Sequence, residues 1–272
     1  MQNYSSSPRE MIASVWRNRS LIKSLVQREV IGRYRGSILG ILWSFFNPIF
    51  MLLVYTFVFS VVFRARWSGG SDSKTEFALL LFAGLIMFNL FAECFNRAPG
   101  LILSNANYVK KVVFPLEILP WVSMGSALFH TLISMCVWLI AYMVIFGVPH
   151  MTMLLLPFII LPLLFLIMGL TWALAALGVY LRDVSQLIGT VTTVLMFLSP
   201  IFYPITALPE KYQLLMLLNP LTPVIESTRD VIFWGRLPNM TLLLVYFVGS
   251  AFIAWLGFVW FQMTRKGFAD VL

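Results

Sequence analysis

Few side chains within the long apolar runs of this 272-residue chain could take part in acid–base chemistry. The runs contain one carboxylate, Glu93, with Arg97 four residues later, and one centrally placed histidine, His130, while His150 falls on a different element. An ion-driven transporter needs carboxylates inside the membrane and repeated halves, and a membrane-bound transferase needs His, Asp and Glu together at one interface. The sequence favours neither class. Residues 118–181 contain no Lys, Arg, Asp or Glu, so we expect His130 to form a hydrogen bond between helices, with a proton relay as the alternative.

Docking of a soluble partner is indicated by the short charged segment 105–120, NANYVKKVVFPLEILP. At helical spacing Lys110 and Lys111 fall opposite an apolar arc, whose members are Tyr108, Val109, Val112 and Val113. Pro115 would end this helix, because proline lacks the backbone N–H donor and clashes with the preceding turn. A short two-faced helix held between two apolar runs suits contact with a partner, and a plain surface connector is the alternative.

The composition places the chain in the membrane. Its residues are 60% hydrophobic and 11% charged, whereas soluble domains have about 25% charged residues. The net charge of +8 comes from basic residues that stand beside the apolar runs, where they report orientation rather than nucleic-acid binding. The two cysteines have no partner at a metal-binding spacing, so we expect no metal site.

The apolar runs predict an all-α integral membrane protein with six transmembrane helices in one domain, 1–272. About 20 apolar residues cross the hydrocarbon layer as a helix. The predicted spans are about 38–63, 77–97, 118–146, 152–181, 184–204 and 239–263. Six spans place both termini on one side, and thirteen of the 19 Lys and Arg residues fall on that side. Because cytoplasmic segments are enriched in basic residues, both termini are predicted to be cytoplasmic.

The segment before the first span, residues 9–37, is predicted to be a cytoplasmic or interfacial helix. Within 21–31 the apolar side chains share one half of the helical wheel: Leu21, Ile22, Leu25, Val26 and Val30. A basic amphipathic helix beside a span belongs in the membrane interface, and an ordinary solvated helix is the alternative. Gly32, Gly36 and Gly40 follow at a spacing of four, which predicts either a hinge or close helix packing.

The segment 199–238, between spans 5 and 6, is too apolar for an ordinary loop. Its six prolines exclude one continuous helix. Short re-entrant helices fit best, because non-helical backbone is tolerated at membrane depth where protein or a water-filled cavity covers it. Glu226, Arg229 and Asp230 then form either a solvated ion-pair cluster or a polar exit rim.

Three ordered segments resemble the permease subunit of bacterial ABC exporters of polysaccharides. They are REVIGRYRGSILGILWSFFNPIFMLLVYTFVFS at 28–60, NANYVKKVVFPLEILP at 105–120 and GVYLRDVSQLIGTVTTVLMFLSPIFYP at 178–204, and the closing RKGFADVL is also similar. The resemblance implies a homodimeric channel in the bacterial inner membrane and two copies of an ATP-binding cassette subunit. The substrate would be a lipid-linked polysaccharide, with O-antigen first and capsule or teichoic acid as alternatives.

The resemblance also implies roles for individual residues. The contact with the ATP-binding subunit would comprise Asn105, Tyr108, Lys110, Lys111, Phe114 and Glu117, with Arg182 and Asp183 as a second contact. The gate for the lipid head would comprise Arg28, Arg33, Tyr34 and Arg35. The chain has no G-x-x-x-x-G-K-[ST] phosphate loop. It is therefore expected to have no enzymatic activity and no cofactor of its own, with ATP and magnesium on the partner.

Two of these roles have a physical rationale and a plainer alternative. Arginine binds phosphate in a bidentate way, so Arg33 and Arg35 could hold a lipid phosphate, but ordinary anionic lipids would also bind them. An aromatic track for the glycan is predicted at Phe46, Phe50, Phe57, Phe202 and Tyr203. Aromatic stripes also pack against neighbouring helices or lipid, which is the alternative.

Overall fold

The computed structural model describes residues 5–62, 74–109 and 114–272, and these ranges form helices and turns without a strand. The helices are α1 (Pro8–Arg17), α2 (Arg19–Tyr34), α3 (Trp43–Tyr55), α4 (Lys74–Arg97), α5 (Ala106–Val109), α6 (Leu119–Phe146), α7 (Leu156–Tyr180), α8 (Val184–Leu198), α9 (Glu210–Leu217), α10 (Thr222–Arg229), α11 (Met240–Thr264) and α12 (Phe268–Val271). The all-helical class is confirmed for the described residues. The predicted contact residues Lys110 and Lys111 lie outside them.

Five helical segments in the described ranges are long and apolar enough to cross a membrane: Gly40–Phe59, Thr75–Gly100, Leu116–Phe146, Met151–Tyr180 and Met240–Val271. The predicted fifth span is shorter than expected, because α8 has 15 residues and ends at Leu198 rather than 204. Ser199 is extended, as expected for a residue that precedes a proline. At a rise of about 1.5 Å per residue, α8 covers roughly 22 Å, less than the hydrocarbon thickness of about 30 Å.

Helix α4 is the core of the protomer and packs against α6, α7, α8 and α10. Two buried indoles fix the packing of neighbouring elements. The indole Nε1 of Trp138 donates to the carbonyl of Leu79 at 2.9 Å, and that of Trp172 donates to the carbonyl of Glu117 at 3.1 Å. Each bond satisfies a polar atom that would be costly to bury alone.

Helices α7 and α11 form the most extensive helix pair, and glycines permit their close approach. A side chain at Gly257 would collide with the backbone of Gly169, and one at Gly169 would collide with the backbone of Ile253. Small residues at such crossings allow helix backbones to approach closely within a membrane.

The link between α2 and α3 is a break in the helix. Gly36 and Gly40 have positive φ values of 87° and 51°, and α2 has already ended at Tyr34. A Cβ atom added at Gly32, Gly36 or Gly40 would meet no described atom within 4 Å. The structure therefore shows a break at Gly36 and Gly40 without close packing on these glycines inside the described protomer, and the hinge stays a prediction.

The segment between α8 and α11 is organised around one buried arginine. Arg229 is 1% exposed, and its guanidinium donates to the carbonyls of Leu80, Pro200 and Ile201 at 2.9, 2.5 and 2.8 Å and to Glu226 at 2.9 Å. The expectation of a solvated cluster or exit rim is wrong for Arg229, because it ties α10 and the turn after α8 to α4.

Candidate functional site

Four charged residues of alternating sign join α2 to α4. Arg33 Nη1 lies 2.6 Å from Glu93 Oε1, and Arg97 pairs with Glu29 and lies 3.8 Å from Glu93. Each helix contributes one acid and one base four residues apart, so the charges of this quartet cancel. The expected Glu93–Arg97 pair is present. The closer partner of Glu93 is Arg33, which sequence spacing could not identify because it is 60 residues away.

Three members of the quartet, Arg33, Glu93 and Arg97, line a cavity of about 520 Å³. The end of α2, one face of α3, one face of α4 and one face of α6 enclose it. Polar side chains are concentrated in its lining: Arg33, Tyr34, Ser44, Asn47, Asn89, Glu93, Asn96, Arg97, His130 and Ser134. Asn89, Glu93 and Asn96 share one face of α4 at helical spacing. We call this cavity the chamber, and it combines these polar groups with apolar side chains such as Met51 and Ile86.

The predicted gate residues occupy different positions around this chamber. Arg28 donates from Nη2 to the hydroxyl of Tyr108 at 2.8 Å, while Arg33 belongs to the quartet. The hydroxyl of Tyr34 lies 3.3 Å from Nδ1 of His130, which confirms the expected interhelical hydrogen bond of this histidine. Burial raises the pKa of Tyr34, so its phenol is neutral at physiological pH. Arg35 follows α2 in an extended conformation.

The connector, residues 98–118 between α4 and α6, packs against α2 through residues that the structure describes. The rings of Tyr108 and Phe114 stack with centroids 4.2 Å apart and an interplanar angle of 6°. Phe114 also joins a cluster formed by Ile118 and Val122 with the apolar face of α2, namely Leu21, Ile22, Leu25 and Val26. A Cβ added at Gly125 would lie 2.7 Å from Val26. The apolar face of α2 therefore contacts both the start of α6 and Phe114 at the end of the connector.

Two further predicted partner-contact residues, Glu117 and Asn105, also have hydrogen-bond partners within the protomer. Glu117 is 6% exposed, and its carboxylate lies 2.6 Å from Nη1 of Arg265. The Nη2 atom of Arg265 donates to the carbonyl of Phe114 at 3.0 Å. Glu117 therefore fixes the end of the connector from inside the protomer. Asn105 donates to the carbonyl of Leu101 at 2.9 Å. The sequence did not single out Arg265, whose partner is 148 residues away.

The second predicted contact lies in the turn between α7 and α8. Arg182 and Asp183 are both exposed there. The carbonyl of Arg182 accepts a hydrogen bond from the hydroxyl of Ser185 at 3.0 Å. This turn therefore exposes one positive and one negative side chain on the surface of the protomer.

The predicted aromatic track divides into two parts. Phe46, Phe50 and Phe57 lie on α3 and its extension, with 52%, 54% and 60% of each residue exposed. Phe202 is instead packed between Phe59 and Phe197, with ring centroids 5.9 and 6.0 Å away, and the hydroxyl of Tyr203 donates to the carbonyl of Phe197 at 3.0 Å. The first part is an open aromatic surface, and the second part closes the turn after α8.

Comparison with known proteins identifies the class. The family described as ABC-2 type transporter matches residues 20–233, and this chain belongs to that family. The chain is 29% identical over 262 residues to the O-antigen export system permease protein RfbA of Myxococcus xanthus, covering 96% of this chain and 98% of that protein. It is 25% identical over 254 residues to an O-antigen export system permease protein RfbA of Klebsiella pneumoniae, covering 93% and 95%. It is 26% identical over 247 residues to the polysialic acid transport protein KpsM of Escherichia coli, covering 85% and 91%.

Proposed function

We propose that this chain is the channel-forming permease subunit of a transporter that exports lipid-linked polysaccharide, most directly O-antigen, across the bacterial inner membrane. The observation that carries this proposal is similarity along nearly the full length of both chains to O-antigen export permeases. A capsule exporter is the second candidate, because a polysialic acid transport protein is also similar over most of its length. Teichoic acid stays a further alternative on the sequence resemblance alone.

ATP hydrolysis would take place on a separate ATP-binding cassette subunit, present in two copies. The absence of a phosphate loop from this sequence supports that division. The contacts would be the α5 connector with Lys110 and Lys111 and the exposed turn at Arg182 and Asp183. In this arrangement Glu117 holds the connector in place while its neighbours touch the partner.

Two copies of the chain would enclose the channel, with α3 and α8 facing it. Both helices present large apolar side chains that their own protomer leaves uncovered, including Phe46 and Phe50 on α3 and Leu187 and Val194 on α8. We place both termini in the cytoplasm. We infer that α8 completes a sixth crossing together with re-entrant α9 and α10, since α8 alone is too short to cross.

Helix α1 would rest in the membrane interface. Its Ile12 and Trp16 are 65% and 72% exposed, and its basic residues suit the headgroup region. This assigns the interfacial role to α1, because the apolar face of α2 is already occupied by α6.

These contacts would transmit a conformational change from the ATP-binding subunit (the motor) to the predicted lipid-head gate on α2. A push on the connector would move Tyr108 and Phe114, and these contact Arg28 and the apolar face of α2. Rotation of α2 would separate Arg33 from Glu93. Arg33 and Arg35 could then bind the lipid phosphate, which competes with the carboxylate for the guanidinium. The exposed face of Phe46, Phe50 and Phe57 would guide the glycan through weak stacking contacts.

Co-purification followed by reconstitution tests the proposal. The tagged chain is co-expressed with the ATP-binding subunit encoded beside it, and the complex is placed in proteoliposomes with a lipid-linked oligosaccharide. We expect a stable complex and translocation that requires ATP. Recovery of the chain without any ATP-binding protein, or translocation at the same rate without ATP, would refute it.

A further inference from the structure

The chamber beside the charge quartet has the chemistry of a ligand site. Asn89 stands in the otherwise apolar centre of α4, and its side chain is exposed although its neighbours Phe88 and Leu90 are buried. Asn96 on the same helix and Asn47 on α3 add two further amides to the lining. Polar side chains at membrane depth are expensive and mark functional sites. The Oδ1 atom of Asn96 already accepts a hydrogen bond from the hydroxyl of Thr192 at 2.8 Å, so the amides of Asn47 and Asn89 and the Nδ2 group of Asn96 are the groups available to a polar occupant.

The wall formed by α6 adds a donor or acceptor without a described partner. The Nε2 atom of His130 is buried and has no hydrogen-bond partner among the residues that the structure describes, while its Nδ1 atom contacts Tyr34. Ser134, four residues later, lines the same chamber. Because the Nε2 atom is enclosed by protein, the hydroxyl and the amides are the groups that offer both donors and acceptors to an occupant.

The charges around the chamber favour a neutral occupant. Glu93 already pairs with Arg33, and Arg97 already pairs with Glu29, so neither a free carboxylate for a cation nor an unpaired guanidinium for an anion faces the amides. Amides and hydroxyls recognise groups that donate and accept at once, which is the property of sugar hydroxyls. The volume of about 520 Å³ falls within the range of roughly 300–1,000 Å³ that small-ligand sites occupy.

We propose that this chamber is a saccharide subsite within each protomer, which holds a sugar unit of the lipid-linked glycan through Asn47, Asn89 and Asn96. This inference rests on the proposed function and names part of its substrate recognition. Arg33 lines the same chamber as these amides, so a phosphate that displaces Glu93 from Arg33 would place the first sugar beside them. Tyr55 and Phe82 line the chamber as well and offer ring faces to the apolar C–H surface of a sugar.

A pair of amide-to-leucine variants tests the subsite. Asn89→Leu and Asn47→Leu keep a similar volume and suit a helix, but they remove the donors and acceptors. The matched control is Gln27→Leu, which removes an exposed amide on α2 that does not line the chamber. The complex with its ATP-binding subunit is titrated in nanodiscs with two probes, a polyprenyl diphosphate bearing a disaccharide and the same lipid without sugar. Intrinsic tryptophan fluorescence reports the Kd.

We expect each chamber variant to bind the sugar-bearing lipid about tenfold more weakly, as loss of one or two hydrogen bonds would give. Binding of the sugar-free lipid should stay within about twofold of the wild-type value, as should both affinities of Gln27→Leu. Unchanged affinity for the sugar-bearing lipid, or an equal loss for both lipids, would overturn the subsite. Failure of the wild-type complex to bind either lipid would instead count against the proposed function itself.

Discussion

The first two membrane helices of this protein have similar lengths and opposite surroundings. In the most apolar 18-residue stretch of Thr75–Gly100, 83% of the residues are buried within the protomer, against 6% for Gly40–Phe59. The two stretches are both strongly apolar, but the protomer itself covers most side chains of α4 and few of those of α3. Helix α4 is therefore scaffold, and α3 is a surface whose partners are lipid, a second copy or substrate.

The largest effect is expected in the scaffold, at the crossing of α7 and α11. Gly257→Leu would drive a side chain into the backbone of Gly169, and backbone cannot move aside as a flexible side chain can. Overpacking costs about 1–3 kcal/mol and more where backbone must shift. We expect little folded protein in the membrane, measured as the monodisperse fraction after detergent extraction.

Gly249→Leu on the same helix is the matched control, since a Cβ there meets no described atom within 4 Å. It should be recovered near the wild-type amount. Equal recovery of the two variants would contradict the close crossing.

Phenylalanine truncation on the two helices compares scaffold and surface directly. Phe91 on α4 is 2% exposed and stacks on Phe95 with centroids 4.8 Å apart, whereas Phe50 on α3 is 54% exposed. We expect Phe91→Ala to destabilise by about 3–5 kcal/mol. Phe50→Ala should leave the melting temperature nearly unchanged while slowing glycan export. Thermal unfolding in detergent measures the first effect and surface polysaccharide measures the second. A larger stability loss for Phe50→Ala would reverse the assignment of the two helices.

A comparable loss is expected where the scaffold holds the segment before α11. Arg229→Leu would leave the carbonyls of Leu80, Pro200 and Ile201 without their donor, at roughly 1–3 kcal/mol for each buried unsatisfied group. The melting temperature should fall by several degrees. Arg236→Leu, at an exposed position in the same segment, should leave it unchanged. Similar melting temperatures for the two variants would show that Arg229 does not organise this segment.

The smallest effect on stability is expected at the ion pairs that join α2 to α4. Glu93→Gln weakens the ion pair with Arg33, whose side chain is 50% exposed, and exposed pairs contribute about 1 kcal/mol or less. The expected result is a nearly normal melting temperature with faster basal ATP hydrolysis by the complex, because α2 is held less firmly. Unaltered basal hydrolysis would argue against a gating role for the quartet.

Local sequence patterns predicted much of this architecture. The apolar runs located the five long helices, and the spaced glycines coincide with the break at 36–40. The early end of α8 at Leu198 was missed, although Pro200 accounts for it. The partner-contact residues and gate residues come together through α2, which a local pattern could not reveal. Arg28 reaches Tyr108 across 80 residues, and Arg265 reaches Glu117 across 148 residues.

The polar chamber could not be predicted from the sequence either, although one residue indicates it. Asn89 interrupts an apolar helix, and such a residue is a candidate for function on its own. Which other walls face it depends on tertiary packing. The burial of Arg229 could not be predicted from local spacing, because its partners Leu80 and Pro200 are remote in sequence.

Reversible cross-linking of α2 to α4 tests the coupling between motor and gate most directly. Glu29 and Arg97, which form the other ion pair between α2 and α4 and leave Arg33 intact, are replaced by cysteines in a chain whose Cys94 and Cys136 are replaced by alanine. The pair is joined by a short reducible cross-linker in proteoliposomes that contain the ATP-binding subunit. ATP-dependent translocation of the lipid-linked glycan should stop when α2 is joined to α4 and return after reduction. Translocation at the unlinked rate with the cross-link in place would contradict the account.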